Sequence, residues 1–375
     1  MPSIREAEMN LFSVSLPGRF GDWCDAVIVR LAQTVLGHIV ATAASTAEEL
    51  ASELIRTEGQ HFYVGSRQPS RWLREKLMAT NKNFVVAMDD TRSAASDLVI
   101  RHQLEPAEAS RRVASSCALI SRYIALPGAL VVSSERDWPN AAATVAALAH
   151  HLGLPVGTAD IEKIAADLED TRSQPNDEPG AASPAQLPEH SLAVINGALA
   201  PYVEFFKGAA LGKITWARDL FLEEHHQPAI HPIDISGKIR HLIYGPYIAL
   251  PPGNWVAEMV LGFSADVDMS FQVDVWAGSQ LSIARINPSG PGRAQVNLSF
   301  LVEESNDNLV EIRVMNERAA IYGQLALGQA TVTLQQNVSS TVIDTLTREL
   351  GLSPDGSSRS RSSTLPEADG GSRHP

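Results

Sequence analysis

The stretch "SLPGRFGDW", Ser15 to Trp23, sets Pro17, Gly18, Arg19, Gly21 and Asp22 between a short apolar run, "NLFSV", and a long stretch with helical apolar periodicity. Strand, glycine-bearing turn and helix in that order turn unpaired N–H groups and the positive end of a helix dipole toward the space above the turn. Such a place suits an anion, phosphate above all. A second run of the same kind, "NFVVAMDDTRSAAS", offers Arg92 and Ser96 as groups that can hold an anionic oxygen. His61 opens the strand-like "HFYVGS" and Arg67 follows in "SRQPSRWL". An imidazole and a guanidinium near strand ends can move a proton or steady a charge. The competing reading of "SRQPSRWL" is an ordinary helix start, capped by Ser66 or Ser70 with Trp72 packed below.

Aromatic residues make the other chemical cluster. "IYGPYIALPPGNWVAEMVL" contains Tyr244, Tyr247 and Trp255 around two Pro/Gly turns, and Asp274 follows in "MSFQVDVWAG". Flat rings stack on the apolar face of a sugar, and carboxylates bind its hydroxyls. For Trp276, in the same run, filling a core is the expected fate. "FLEEHHQPAIHP" gathers Glu223, Glu224, His225, His226 and His231 without zinc spacing, and "DVD" at Asp266 to Asp268 lacks the spacing of a calcium loop. No metal site is expected.

These residues sit in a chain of 375 amino acids, 44% of them hydrophobic, long enough for two cores. A formal net charge of −13 argues against a general nucleic-acid or anionic-membrane binder, while leaving room for a local basic pocket. The two cysteines, Cys24 and Cys117, have no metal or redox spacing and read as buried free thiols. The opening "MPSIREAEMN" lacks the apolar core of a secretory signal, and Arg30, Gln33 and His38 interrupt the most apolar helix. The expectation is a cytoplasmic protein without a membrane span.

Texture divides the chain. Residues 1–168 alternate β-rich runs ("NLFSVSL", "HFYVGS", "NFVVAM", "ALVVSS") with helices beginning near Asp22, Thr46, Arg71, Thr91, Pro106 and Trp138. That order implies an α/β domain with an open parallel sheet. Residues 169–190, dense in Pro, Ser, Asp and Glu, read as a disordered linker. Residues 191–337 begin with a helix and continue as evenly spaced alternating runs from Ile233 to Leu334, the pattern of an all-β sandwich or jelly roll. Residues 338–375 read as a short helix and a low-complexity tail.

The first 155 residues or so resemble the P-loop α/β domain of sulfotransferases, in the order and spacing of three segments more than in identity. Pro17 and Trp23 stand at the two ends of that family's donor loop, with Gly18, Phe20, Gly21 and Asp22 in place of its basic residue, glycine and threonines. Asp89 and Ser96 match positions of the segment that grips the donor's 3′-phosphate, but Met88 replaces its arginine. "ALVVSSERDWPNAAATVAALAHHLGLP" is similar to the family's last strand, acidic loop and helix. The resemblance implies the donor PAPS, held by Pro17, Gly18, Arg19, Gly21, Asp22, Trp23, Arg92 and Ser96; the family's base has no motif to place it, and His61 and Arg67 are the catalytic candidates by their position near strand ends. The second half resembles the carbohydrate-binding sandwiches appended to bacterial polysaccharide-handling enzymes, which implies a saccharide partner at Tyr244, Tyr247, Trp255 and Asp274.

Three readings follow. The chain is a sulfotransferase-like enzyme acting on a saccharide, a catalytically silent saccharide-binding or assembly protein, or a transferase using another phosphate-bearing donor such as a nucleotide sugar.

Overall fold

The computed structural model describes residues 9–44, 61–168, 187–264, 269–288 and 290–335, with positions 46, 48, 49 and 52 between. The helix expected at Thr46 lies mostly outside the described residues. The "DVD" run lies wholly outside them, and so do nearly all of the expected linker and the tail.

Among the described residues the first half is β1 (Met9–Ser15), α1 (Arg19–Leu36), β2 (Ile39–Ala43), β3 (His61–Ser66), α2 (Arg71–Thr80), β4 (Phe84–Met88), α3 (Thr91–His102), α4 (Pro106–Ile124), β5 (Ala129–Ser133), the short α5 (Ser134–Asp137), α6 (Ala141–His151) and α7 (Thr158–Asp167). The strands form a parallel sheet in the order β2-β3-β1-β4-β5. Four of them coincide with the expected runs. The edge strand β2, "IVATA", was not anticipated, because a five-residue run beside His38 carries little signal. On one face α1, α6 and α7 bury Trp23, Val27, Ile28, Leu31, Val145 and Leu148. On the other, α2, α3 and α4 cover Phe12, Val14, Val64, Phe84 and Val86.

The second half opens with α8 (Glu189–Phe206) and β6 (Ile214–Trp216) and continues through β7 (Ile233–Asp234), β8 (His241–Ile243), β9 (Pro246–Ile248), β10 (Gly253–Phe263), β11 (Phe271–Trp276), β12 (Gln280–Ile286), β13 (Gly292–Val302), β14 (Val310–Asn316) and β15 (Gln324–Leu334). Two antiparallel sheets, β13-β10-β15-β6 with β7 and β12-β11-β14-β8 with β9, pack face to face. Alternation is strict along β10, where Trp255, Ala257, Met259, Leu261 and Phe263 point inward. The chain is thus an α/β domain followed by a β-sandwich.

The halves share a core, since α8 packs on α4 and α3 as well as on β6. Along α4, Arg111, Ser115, Leu119 and Arg122 fall on one stripe at helical spacing, and that stripe meets the sandwich. Arg122, its side chain 3% exposed, donates to Asp307 at 2.6 Å and to the carbonyls of Leu250, Glu304 and Asn306. Arg74 bonds Glu304 beside it.

Candidate functional site

Two places gather the side chains singled out by the sequence: the carboxyl ends of β1, β3 and β4, and the solvent face of the sheet β12-β11-β14-β8.

At the first, α1 begins at Arg19, three residues before the sequence placed it, because Gly18 takes φ 143° and turns the chain sharply out of β1. A side chain at Gly18 would meet Asp89 Oδ2 at 2.8 Å. That carboxylate accepts from the amide of Phe20 at 3.3 Å and from Asp90 N at 2.9 Å, and Ser134 bonds it as well. Burial raises its pKa against these hydrogen bonds. The amino end of α1, the position for phosphate, is therefore filled by a carboxylate of the same chain.

The cations around it are answered in the same way. Arg19 bonds Asp97 at 3.2 Å, and Arg101 bonds the same carboxylate. Arg67 reaches across the turn to Ser15 and to Asp22 and Asp25, each at 2.6 Å. Gly21 is required there, since a Cβ would lie 2.6 Å from both Arg67 and the Leu16 carbonyl. Arg92 stands 3.9 Å from Asp90, which itself caps α3 through Ser93 N at 2.8 Å. The residues present do not fit a 3′,5′-bisphosphate donor. One phosphate would have to displace Asp89, and Arg19 and Arg67 already bond carboxylates, which leaves only Arg92, 3.9 Å from Asp90, less engaged.

Other expected donor-site residues lie elsewhere. Trp23 is 3% exposed and stacks on Phe20 in the core, with ring centroids 5.7 Å apart, so it cannot flank a ligand. Ser96 is buried, and among the described residues its hydroxyl has no hydrogen-bond partner. His61 is exposed at the amino end of β3, and the strand's full length of about 17 Å separates it from Arg67. Strand ends do face the cleft, but only the carboxyl ends. What the sequence reading missed is the buried chain behind Arg67: Tyr63 bonds Ser13 Oγ at 2.6 Å and also Asp25. Alternation along β1 and β3, which sets Ser13, Ser15 and Tyr63 among apolar neighbours, was the available signal.

On the sandwich face the aromatic assignments exchange places. Trp255 is 1% exposed, and its Nε1 donates to the Pro251 carbonyl at 2.9 Å; it fills the core and offers no face to a sugar. Trp276, expected in the core, is half-buried on the outer face with the Arg313 guanidinium 4.4 Å from its ring centroid. Arg313 is locked by two 2.8 Å bonds to Asp274, which lies opposite it in the register. That pair raises the Arg313 pKa further and leaves Asp274, 2% exposed, as a brace beneath the surface.

Tyr244 and Tyr247 meet edge to face with centroids 6.3 Å apart. The Tyr244 hydroxyl donates to the Glu223 carbonyl at 2.8 Å and lies 3.0 Å from His226 Nδ1, while Glu224 pairs with Arg240, so the His/Glu run serves this loop. Tyr247 bonds Glu311, and burial with that neighbour pushes its pKa up to about 12. Its φ of 63° is strained for a residue with a side chain.

Among the described residues, no helix is long and apolar enough to cross a membrane. No protein-family model matches the chain, and no curated protein does. Among solved structures, mouse sulfotransferase SULT7A1 complexed with PAP aligns at 13% identity over 49% of this chain and 74% of that one, with a TM-score of 0.34. A family 16 carbohydrate-binding module aligns at 12% identity over 27% and 75%, with a TM-score of 0.22. The xylan-binding module CBM15 aligns at 13% identity over 28% and 96%, with a TM-score of 0.16.

Proposed function

We propose that this protein binds a saccharide through the solvent face of its second sheet, and that its α/β half is a sulfotransferase-like scaffold without donor chemistry. The observation that carries the reading is the set Trp276, Arg313 and Asp274. It is a partly exposed ring with a guanidinium 4.4 Å from its centroid that a buried carboxylate holds in place. Gln272 and Glu311 stand on the same face with polar ends suited to sugar hydroxyls. The carboxylate at the amino end of α1 supports the second part, because an incoming phosphate meets negative charge where it needs donors.

Two titrations by calorimetry test it. Against cellohexaose, xylohexaose and mannohexaose the protein is expected to bind at least one, with affinity lost in Trp276→Ala. Against PAP, no heat is expected up to millimolar ligand. Micromolar PAP binding that disappears in an Arg19→Ala, Arg92→Ala double variant would restore sulfuryl transfer as the leading reading. Hexaose binding that survives Trp276→Ala would move the saccharide site elsewhere.

A further inference from the structure

Between the halves lies a cavity of about 690 Å³, bounded by the carboxyl end of β3, by α4 and by the loop that carries Tyr247. Its charges differ from those of the chain as a whole. Arg67, Arg111 and Arg112 line it against a single acidic residue, Glu108. Arg67 is already answered by Asp22 and Asp25. Arg111 and Arg112 therefore share one carboxylate, at 3.7 Å and 2.8 Å.

The two arginines are not equivalent. Arg111 is fixed by the carbonyls of Pro246 at 3.0 Å and Leu220 at 2.9 Å, so it ties α4 to the Tyr247 loop. Burial without enough opposing charge lowers its pKa. Arg112 is more exposed and spends Nε on Glu108, leaving its two terminal nitrogens without a partner among the described residues. Gln68, exposed on the same wall, has no hydrogen bond among them either.

The cavity meets the sandwich at Tyr247 and Leu309. Glu311 lies opposite Trp276 on one side and Pro246 on the other, and Tyr247 bonds Glu311. The backbones of Trp276 and Pro246 thus lie two strand spacings apart, roughly 10 Å, about the span of two sugar residues.

We infer that the saccharide is acidic: the cavity between the halves takes an anionic group, a uronate carboxylate or a sulfate ester, onto Arg112 and Gln68 while the backbone of the sugar chain lies on Trp276. This rests on the saccharide-binding reading above and adds the ligand's charge to it.

Calorimetry at low ionic strength with tetragalacturonate, a tetrasaccharide of sulfated galactan and neutral galactotetraose tests the inference. One of the acidic probes is expected to bind about tenfold or more tightly than the neutral one, as a charge-assisted contact implies, with the difference shrinking in salt. Whichever acidic probe is favoured identifies the anion as carboxylate or sulfate. Arg112→Gln, an exposed change, is expected to erase the advantage of the acidic probe over galactotetraose, and Gln68→Ala to reduce it. Equal affinity for all three probes in the wild type, or a preference that survives Arg112→Gln, overturns the acidic ligand and leaves the platform standing. Failure of every probe in this panel and among the neutral hexaoses overturns both.

Discussion

The mouth of the parallel sheet and the outer face of the antiparallel sheet use the same ion pairs to opposite ends. At the mouth, Asp97, Asp22 and Asp25 lie against Arg19 and Arg67, and Asp89 lies against the helix end, so charge is consumed where a ligand would need it. On the outer face, Asp274 bonds Arg313 and holds its guanidinium over the Trp276 ring, so the pair builds a surface instead of closing one. An arginine near a cleft is therefore no sign of anion binding until its carboxylates have been counted. Arg112, with more donors than its one carboxylate can use, is where the count comes out in favour of a ligand.

The largest effect concerns whether the two regions belong to one folding unit. Arg122→Met removes a buried guanidinium that serves Asp307 and three carbonyls of the sandwich, and is expected to cost about 3–5 kcal/mol. Urea denaturation followed by tryptophan fluorescence and by circular dichroism measures it. If the halves depend on each other, the two signals stay coincident at a lower midpoint. Separated transitions in the wild type would break the picture of a shared core.

Next comes a pair of tryptophan variants with crossed effects. Trp255→Ala empties a core position and is expected to lose about 3–5 kcal/mol of stability with little change in saccharide affinity. Trp276→Ala is expected to lose about 1 kcal/mol of stability, the worth of its stacked guanidinium, while lowering affinity about 30-fold or more. Thermal melts and hexaose titrations on both proteins decide it; reversed effects would return Trp276 to a structural role.

That pair also marks how far the sequence could be read. Both tryptophans belong to alternating apolar runs, and alternation states which residues share a face but not which face is buried. For Trp276 the answer sat on the neighbouring strand: "EIRV" of β14 places Glu311 and Arg313 opposite Trp276 and Asp274, and one sequence gives no strand pairing. The parallel sheet was legible because its strands are short, apolar and separated by helices. The filled anion position was not, since Asp89 is 69 residues from the Phe20 amide it occupies. The face of α4 that carries Arg111, Ser115 and Arg122 was missed because its partners are mostly backbone carbonyls and amides, which leave no trace in residue type.

The smallest effect is also the most direct test of the mouth. Asp89 has a pKa raised above the ordinary carboxylate value by burial, so the folded protein keeps its proton to a higher pH than the unfolded chain does. Its contribution to stability is full below about pH 3.9, the ordinary aspartate value, and is lost as pH rises through the raised one. Asp89→Asn removes the charge and keeps an acceptor for Phe20 N, at the loss of the bond from Asp90 N. It is expected to melt higher than the wild type at pH 7, with the gap closing toward pH 4 as the wild-type carboxyl takes up its proton. A variant that melts lower at pH 7 would mean that the carboxylate is held there for its charge. The dipole of α1 would then outweigh burial, and the mouth would be an anion site in use by its own side chain.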